Sequence, residues 1–281
     1  MRLLALLLSL AVSSAAAIET KVLKDIPYKD DVISLTPYEQ ERCKLDLTVP
    51  AGAKGFATYV WFYGGGLKNG AKDLRSEYCA EIRESLAQAG VAVITPDYRL
   101  SPKVKYPAYV DDAAAAFAWT VKHIAEHGGD PHKVFIGGHS AGATLALLVG
   151  MDANRLKPHG LTLGSVAGIA QVSAQVLTHY TIREERGQPR YAITCDEAAP
   201  AFHIRKALPP ILTIYAQNDM LSRAEENMFF VTTLKAAGHA ETYSLRVDDH
   251  DHASVGHGIR NLDDPARLAI LNFIAKQSAN R

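Results

Sequence analysis

The ten residues 134–143 constrain the fold most strongly, because they read Val-Phe-Ile-Gly-Gly-His-Ser-Ala-Gly-Ala. Residues 134–136 are β-branched and aromatic, as in a buried strand, and 143–149 are apolar and compatible with a helix. Between them, 138–142 fit the pattern G-x-S-x-G around Ser140. Strand, sharp turn and helix in this order are the context of a nucleophile elbow, whose central residue is held in a strained conformation. We therefore interpret Ser140 as a nucleophile rather than as an incidental serine in a glycine-rich turn.

The first 17 residues have the features of a secretory signal peptide. A basic start, Met1-Arg2, precedes an apolar run from Leu3 to Val12 and a small-residue segment at 15–17. The apolar run is too short to span a bilayer, so a retained membrane anchor is the weaker interpretation. We expect a secreted or periplasmic protein whose mature chain begins near Ile18 and contains no membrane span.

Composition is consistent with one large α/β domain over residues 18–281. Hydrophobic residues make up 48% of the chain, which is ample for a core. The 30 basic and 30 acidic residues balance, so nothing indicates a nucleic-acid partner. Cys43, Cys79 and Cys195 allow at most one internal disulfide, and their spacing is not that of a metal site.

Strands and helices alternate along most of the chain, which predicts a mostly parallel sheet flanked by helices on both faces. The predicted strands are two segments within 32–49, then 57–62, 91–95, 134–136, 165–169, 211–216 and 242–247. The second segment within 32–49, from Cys43 to Val49, alternates apolar and polar residues, as a half-buried antiparallel strand does. Helices are predicted over 74–86 and 107–124, and after Ser140, Ser222 and Asp264.

Two helix starts and one helix face are predicted in detail. Asp111 and Asp112 are interpreted as charges that suit the positive end of a helix dipole. Ser222 and Glu225 fit a capping box at the start of another helix. Leu268, Leu271 and Ile274 are assigned to the apolar face of the last helix.

Residues 171–210 differ in character from the predicted sheet and its helices. The segment is more polar and irregular, with Arg183-Glu-Glu-Arg186 in its middle. We interpret it as a short cap-like insertion. Because active sites of parallel sheets lie beyond the carboxyl ends of the strands, we expect functional residues directly after predicted strands.

A serine hydroxyl needs an adjacent base, and the base needs a carboxylate, before the hydroxyl becomes a useful nucleophile. Asp219 follows the predicted strand 211–216 and precedes the candidate histidines, which is the Ser–Asp–His order of such folds. The alternative role for Asp219 is a helix cap. Since Ser222 is the better candidate for that cap, Asp219 is assigned to the carboxylate.

Two histidines, His250 and His252, follow the last predicted strand and are candidates for the base. A zinc site built from both of them and Asp248 is a weaker alternative, because no second cluster of ligands is evident. We therefore expect no metal and no organic cofactor. His257 is interpreted as a surface or loop residue.

The glycines that follow the strand 57–62 are candidates for a site that binds developing negative charge. Glycine allows backbone N–H groups to approach a substrate closely. The N–H groups of Gly65, Gly66 and Ala141 would form an oxyanion hole facing Ser140. A plain glycine turn explains the triplet by itself, but explains it less well beside an elbow.

Together these motifs resemble those of the α/β-hydrolase esterase and lipase family, near its hormone-sensitive-lipase-like branch and its feruloyl-esterase and kynurenine-formamidase-like branch. The matching segments are Tyr63-Gly-Gly-Gly66 (H-G-G-G in the family), 97–100 (D-Y-R-L), Pro107 with Asp111-Asp112 and Trp119 (P-x-x-x-D-D…W), and 138–142 (G-x-S-x-G). The resemblance covers most of residues 18–281. It implies an α/β-hydrolase fold and the catalytic triad Ser140, Asp219 and His252, since His-x-Ser-Val leads into the terminal segment as in related esterases.

One residue departs from the family pattern. Tyr63 stands where the family has a histidine that braces the oxyanion loop. By the same comparison, His139 and His203 are implied to be structural.

The resemblance implies a serine carboxylic-ester hydrolase that works through an acyl-enzyme, with short-chain or small acyl esters as substrates. Alternatives are removal of acetyl or feruloyl groups from a polysaccharide, and amide hydrolysis of the formamidase type. A third interpretation, from another class, is a non-catalytic binding module on a hydrolase scaffold. Such modules usually lose a triad residue, whereas this sequence has a candidate for each.

Overall fold

The strands are β1 (Thr20–Pro27), β2 (Lys44–Pro50), β3 (Phe56–Phe62), β4 (Ala92–Pro96), β5 (Gly129–His139), β6 (Gly168–Val172), β7 (Ile211–Asn218) and β8 (Thr242–Asp251). They belong to a computed structural model that describes residues 18–29 and 34–281. One sheet contains them in the order β1-β2-β4-β3-β5-β6-β7-β8, with parallel pairing from β4 to β8 and antiparallel pairing of β2 with both β1 and β4. The predicted α/β class with a mostly parallel sheet is confirmed. The predicted signal peptide, 1–17, lies outside the described residues.

Helices cover both faces of this sheet. They are α1 (Pro37–Arg42), α2 (Cys79–Ala87), α3 (Ala108–His123), α4 (Ala141–Met151), α5 (Ala153–Leu156), α6 (Tyr180–Glu185), α7 (Arg223–Ala236), α8 (His252–His257) and α9 (Pro265–Ser278). Gly150 of α4 packs on Ile169, whereas Phe273 of α9 packs on Gly168. Neighbouring residues of a strand point to opposite faces, so α4 and α9 lie on opposite sides of β6.

The centre of the sheet is fully buried. Every residue of β3, β4 and β6 is buried, as expected for parallel strands covered on both faces. All 11 residues of α4 are buried as well, so this helix has no polar face. Ser140 therefore directly precedes a helix that is buried along its whole length.

Membrane spans and disulfides can be examined only for the described residues. None of the helices there combines the length and the apolar character that a membrane span needs. The three cysteines are free thiols, of which Cys43 and Cys79 are buried and Cys195 is exposed.

For the strand from Cys43 to Val49, the antiparallel pairing is confirmed but the half burial is wrong. Asp46 and Thr48 of β2 are buried together with their apolar neighbours. Asp46 forms ion pairs with Lys72 Nζ at 2.9 Å and with Arg83 Nη2 at 3.2 Å. The polar positions of this strand therefore contribute to an internal charge network and do not face solvent.

The other strand predicted within 32–49 is wrong. Residues 37–42 form α1, which begins with a capping box between Thr36 and Glu39; residues 30–33 lie outside the described part. β1, which pairs with β2 on the side away from β4, was not predicted from the sequence. Most residues of β1 are exposed or half-buried, as expected at the edge of a sheet, and this left no clear apolar alternation.

Three further details differ from the predictions. β6 begins at Gly168 rather than at Ser165. The capping box at Ser222 is absent, because this residue has a left-handed backbone (φ 65°) and its side chain caps nothing. Of the three residues assigned to the apolar face of α9, Ile274 is buried and Leu271 is partly buried, as predicted, whereas Leu268 is exposed.

Asp112 is not a surface charge at a helix start. Its side chain is completely buried and accepts hydrogen bonds from Arg99 Nε and Nη2, both at 2.8 Å. Lys29 Nζ lies 2.7 Å from the same carboxylate. Asp111, by contrast, is 54% exposed and forms one ion pair with Arg155, as a charge on the first helical turn does. Asp112 therefore joins α3 to the segment that follows β4.

We expect Asp112→Asn to lower the free energy of unfolding by about 3 kcal/mol, because it leaves two cations beside a neutral buried group. Urea denaturation monitored by circular dichroism measures this change. The neighbouring variant Asp111→Asn is the control and should lose less than about 1 kcal/mol, as exposed ion pairs do. Equal losses for the two variants would contradict the burial argument.

Candidate active site

Ser140 occupies the sharp turn between β5 and α4 that the sequence predicts. Its backbone angles are φ 55° and ψ −120°, a region that side-chain-bearing residues rarely adopt. A Cβ added to Gly138 or Gly142 would lie 2.4 or 2.2 Å from the carbonyl oxygen of Phe62. Both glycines are therefore required by the close approach of the turn to the end of β3.

Ser140, His252 and Asp219 form a continuous hydrogen-bonded series. His252 Nε2 lies 2.8 Å from Ser140 Oγ, and His252 Nδ1 lies 2.6 Å from Asp219 Oδ1. Asp219 follows β7, and His252 is the first residue of α8, directly after β8. All three thus lie beyond carboxyl ends of parallel strands, where the topology predicts functional groups.

Two other groups hold the carboxylate of Asp219. Ser173 Oγ donates to Oδ2 at 2.5 Å, and the N–H of Met220 donates to Oδ1 at 2.8 Å. Burial raises the pKa of Asp219, but the hydrogen bonds from His252 and Ser173 outweigh burial and leave this pKa below its ordinary value. Asp219 is therefore charged at neutral pH and can stabilise a positively charged imidazole.

Ser173 was missed by the sequence reading. It is the first residue after β6, so the rule that functional groups follow parallel strands could have indicated it.

His139 supports His252 through a hydrogen bond to its backbone. Its Nε2 lies 2.7 Å from the carbonyl oxygen of His252, to which it donates. Burial, together with the nearby His252, lowers the pKa of His139 to about 3, so the ring is neutral. A Cβ on Gly256 would lie 2.5 Å from this ring, which shows how closely α8 packs on it. The structural role implied for His139 agrees with these contacts.

The other two histidines of this region do not reach Ser140. His250 Nδ1 lies 3.0 Å from the carbonyl oxygen of Asp248, and its Nε2 lies 3.6 Å from Asp264 Oδ2. His257 is not a surface residue as predicted, because it is half-buried between the rings of His139 and Tyr78.

His252, not His250, is thus the histidine in contact with the serine. In the described ranges, no three His, Cys, Asp or Glu residues form a group that could hold a metal ion. The remaining predicted histidine, His203, donates from Nε2 to the carbonyl oxygen of Glu197 at 2.9 Å.

The loop after β3 lies directly against the serine. A Cβ added to Gly64 would be 3.3 Å from Ser140 Cβ. Gly65 and Gly66 have left-handed backbones, with φ of 92° and 65°. None of the hydrogen bonds among the described residues uses their N–H groups. Ala141 is the first residue of α4, and the first N–H groups of a helix have no partner within it.

Tyr63 braces this loop through its hydroxyl group and its ring. Its hydroxyl donates to Asp97 Oδ1 at 2.9 Å and accepts from Arg42 Nη2 at 2.7 Å. The ring stacks on Tyr98 with 4.8 Å between centroids. The Tyr98 hydroxyl in turn lies 3.0 Å and 3.1 Å from the carbonyl oxygens of Tyr63 and Gly64. The loop is therefore fixed from β4 and α1 through phenol hydroxyls.

The predicted cap segment, 171–210, begins inside β6 and then passes over the same loop. Thr181 Oγ1 of α6 donates to the carbonyl oxygen of Gly66 at 2.5 Å. Lys68 Nζ forms an ion pair with Glu184 Oε2 at 2.6 Å. The segment thus borders the loop on which the N–H groups lie.

Chemically, the site combines a hydroxyl beside an imidazole with backbone donors on the opposite side. A base in contact with the hydroxyl can remove its proton, and unpaired N–H groups can stabilise an oxyanion. A family model described as alpha/beta hydrolase fold matches residues 59–255, which is more than half of the chain.

The chain belongs to the α/β-hydrolase fold family.

Its curated relatives carry the names of lipases and esterases. The chain is 36% identical over 102 residues to Lipase 2 of a Moraxella species, which is 36% of this chain and 22% of that protein. It is 25% identical over 189 residues to Esterase LipQ of Mycobacterium tuberculosis, with coverage of 60% and 44%. Esterase LipC of the same species is 26% identical over 220 residues, with coverage of 70% and 53%. The chain thus spans about half or less of the length of these relatives.

Solved structures show the same α/β-hydrolase fold over nearly the whole chain. A truncated carbohydrate esterase from gut microbiota superposes with a TM-score of 0.73 at 19% identity, covering 94% of this chain and 98% of the other. A thermophilic esterase from Thermogutta terrifontis superposes with a TM-score of 0.68 at 24% identity, covering 94% of both chains. The resemblance proposed from the motifs is confirmed at the level of family and fold.

The neutral, buried ring of His139 predicts a loss of stability in mild acid. Its pKa of about 3 in the folded state lies below the ordinary value of about 6.5, so the unfolded chain binds the proton more readily. The stability that comes from burying a neutral His139 ring is fully present above about pH 6.5 and is lost progressively as the pH falls towards 3. His139→Gln keeps a donor for the His252 carbonyl but has no ring to protonate, so this pH dependence should disappear. From pH 7 to pH 5, the free energy of unfolding of the wild type should fall by about 2 kcal/mol more than that of the variant.

Urea denaturation at both pH values provides the comparison. His132→Gln, at an exposed position, is the control variant. Identical pH dependence of the wild type and His139→Gln would show that His139 does not titrate as described.

Proposed function

We propose that this protein is a serine carboxylic-ester hydrolase that works through an acyl-enzyme, with Ser140 as nucleophile, His252 as base and Asp219 as its carboxylate. The observation that carries the proposal is the hydrogen-bonded series from Asp219 Oδ1 through His252 to Ser140 Oγ, at 2.6 Å and 2.8 Å. It lies opposite the N–H groups of Gly65, Gly66 and Ala141. The esterase names of the relatives support an ester bond as the target.

In the first half of the reaction, His252 Nε2 removes the proton of Ser140 while Oγ attacks the ester carbonyl. Asp219 stabilises the imidazolium that results. The N–H groups of Gly65, Gly66 and Ala141 donate hydrogen bonds to the developing oxyanion, which typically lowers the barrier by about 3 kcal/mol for each well-placed donor. The imidazolium then protonates the leaving alcohol.

In the second half, water takes the place of the alcohol beside His252. The same base removes its proton, and attack on the acyl-serine releases the acid and restores Ser140. We propose small acyl esters as substrates. The polysaccharide-linked esters and formamide-type amides weighed above stay predictions, and turnover of acetylated xylan or of N-formylkynurenine distinguishes them from simple esters.

We expect Ser140→Ala to lower the rate of 4-nitrophenyl butyrate hydrolysis by about 10⁴-fold or more, because it removes the attacking atom. Fluorophosphonate labelling of the folded protein should disappear in parallel. Release of 4-nitrophenol and in-gel fluorescence provide the two measurements. A folded wild-type protein that neither hydrolyses esters nor takes the label would instead favour a non-catalytic binding module.

The two candidate histidines provide a matched control for this experiment. His252→Ala should approach the rate of Ser140→Ala, whereas His250→Ala should retain most of the wild-type rate, since its ring contacts Asp248 and Asp264. The reverse order would reassign the base.

We also propose that residues 1–17 direct export and are removed, on the basis of their basic start, apolar run and small residues. The exported protein should then have an intact mass that begins near Ile18. Mass spectrometry of the secreted or periplasmic fraction measures this directly. An exported protein that keeps Met1, or a protein found in the cytoplasm alone, would contradict the proposal.

A further inference from the structure

Tyr180 of α6 lies against the loop that carries the proposed oxyanion donors. A Cβ added to Gly66 would be only 2.0 Å from the Tyr180 hydroxyl, so this hydroxyl is in contact with the Gly66 backbone. The neighbouring Thr181 donates to the Gly66 carbonyl oxygen. A substrate whose oxyanion binds at Gly66 must therefore pass beside Tyr180.

The charges of four cationic side chains act on His179, the neighbour of Tyr180, and one of these side chains lies over the Tyr180 ring. We name them the cationic cap cluster: Lys68, Arg183, Arg190 and Arg223. The Arg190 guanidinium lies 3.8 Å from the centroid of the Tyr180 ring, and the rings of His179 and Tyr180 are 4.4 Å apart. Burial lowers the pKa of His179, and the charges of the four cations lower it further. His179 is neutral as a result and adds no charge to the cluster.

Two members of the cluster are buried without an ion pair. Arg183 and Arg223 are each 4% exposed, and neither lies within 4.0 Å of a carboxylate oxygen in the described residues. Arg183 Nη1 donates to the carbonyl oxygen of Ala192, while its Nε has no hydrogen-bond partner in that part of the chain. Arg223 Nη1 donates to the carbonyl oxygen of Ser173 at 3.1 Å. Buried guanidinium groups without a partner carboxylate favour the approach of an anion.

The solvent-facing members already hold one carboxylate. Lys68 and Arg190 are 39% and 43% exposed. Glu184 lies between them, with Oε2 at 2.6 Å from Lys68 Nζ and Oε1 at 3.1 Å from Arg190 Nη1. The charges of Glu226 and Asp219 also act on the buried members of the cluster, Glu226 on both Arg183 and Arg223 and Asp219 on Arg223.

We propose that the cationic cap cluster binds a carboxylate on the acyl chain of the substrate, which makes esters of anionic acyl groups the preferred class. This inference rests on the proposed esterase function. The acyl side follows from the contacts, because Tyr180, on whose ring Arg190 lies, meets the loop at Gly66. The leaving alcohol must instead lie at His252, which protonates it.

The test compares two esters that differ in one terminal group. Mono-4-nitrophenyl adipate carries a carboxylate where 4-nitrophenyl hexanoate carries a methyl group. After subtraction of spontaneous hydrolysis, the adipate ester should have a kcat/KM at least about ten-fold higher, as expected for one charged hydrogen bond. The readout is the ratio of the two kcat/KM values, adipate over hexanoate.

Two variants should move this ratio in opposite directions. Arg190→Gln removes a cation that faces the substrate and should lower the ratio about ten-fold. Glu184→Gln frees Lys68 and Arg190 from their internal carboxylate and should raise it. Arg186→Gln removes a similar cation from the same segment, where it pairs with Asp196 and Glu197, and should leave the ratio unchanged.

A wild-type ratio of one or less overturns the inference and leaves the esterase proposal standing, provided that the hexanoate ester is hydrolysed. A ratio that changes in the same direction in Arg190→Gln and Glu184→Gln also overturns it. If neither ester is hydrolysed, the esterase proposal fails, and calorimetric titration of adipate into Ser140→Ala tests the cluster without turnover. Binding that Arg190→Gln weakens supports the cluster, and the absence of binding overturns it.

Discussion

The contact between the elbow and the end of β3 is the constraint on which the site depends. The carbonyl oxygen of Phe62 lies so close to the turn that neither Gly138 nor Gly142 can carry a side chain. The same contact places the loop that continues from β3 beside Ser140. Parallel pairing of β3 with β5, which aligns Phe62 with Gly138, therefore sets the distance between the nucleophile and the N–H groups that face it.

The site also depends on keeping one group charged and another neutral within a short distance. Asp219 keeps its charge because hydrogen bonds outweigh burial, whereas His139 loses its charge because burial and the nearby His252 outweigh the hydrogen bond to the His252 carbonyl and the charge of Asp219. If His139 were protonated, its charge would disfavour the positive form of His252 that the proposed mechanism needs. The charge of Asp219 and the neutrality of His139 thus both favour the positively charged form of His252.

Local patterns predicted the elbow well, because its glycines, its serine and its flanking elements all lie within one short stretch. Asp219 was chosen partly for a wrong reason, since the cap assigned to Ser222 does not form. Only the family resemblance favoured His252 over His250, because the residues alone do not show where β8 ends and α8 begins, and this boundary decides which ring turns towards Ser140. Buried charges such as Asp112 were misjudged, because an apolar pattern cannot distinguish an internal ion pair from a solvated carboxylate.

The complete burial of α4 has a consequence for how this scaffold can change. No residue of that helix meets water, so a shift of the nucleophile would require repacking of the layers on both of its sides. The buried helix therefore fixes the position of the attacking oxygen, Ser140 Oγ. New acyl groups would have to be accommodated by substitutions in 171–210, where exposed positions can be exchanged without disturbing the interior.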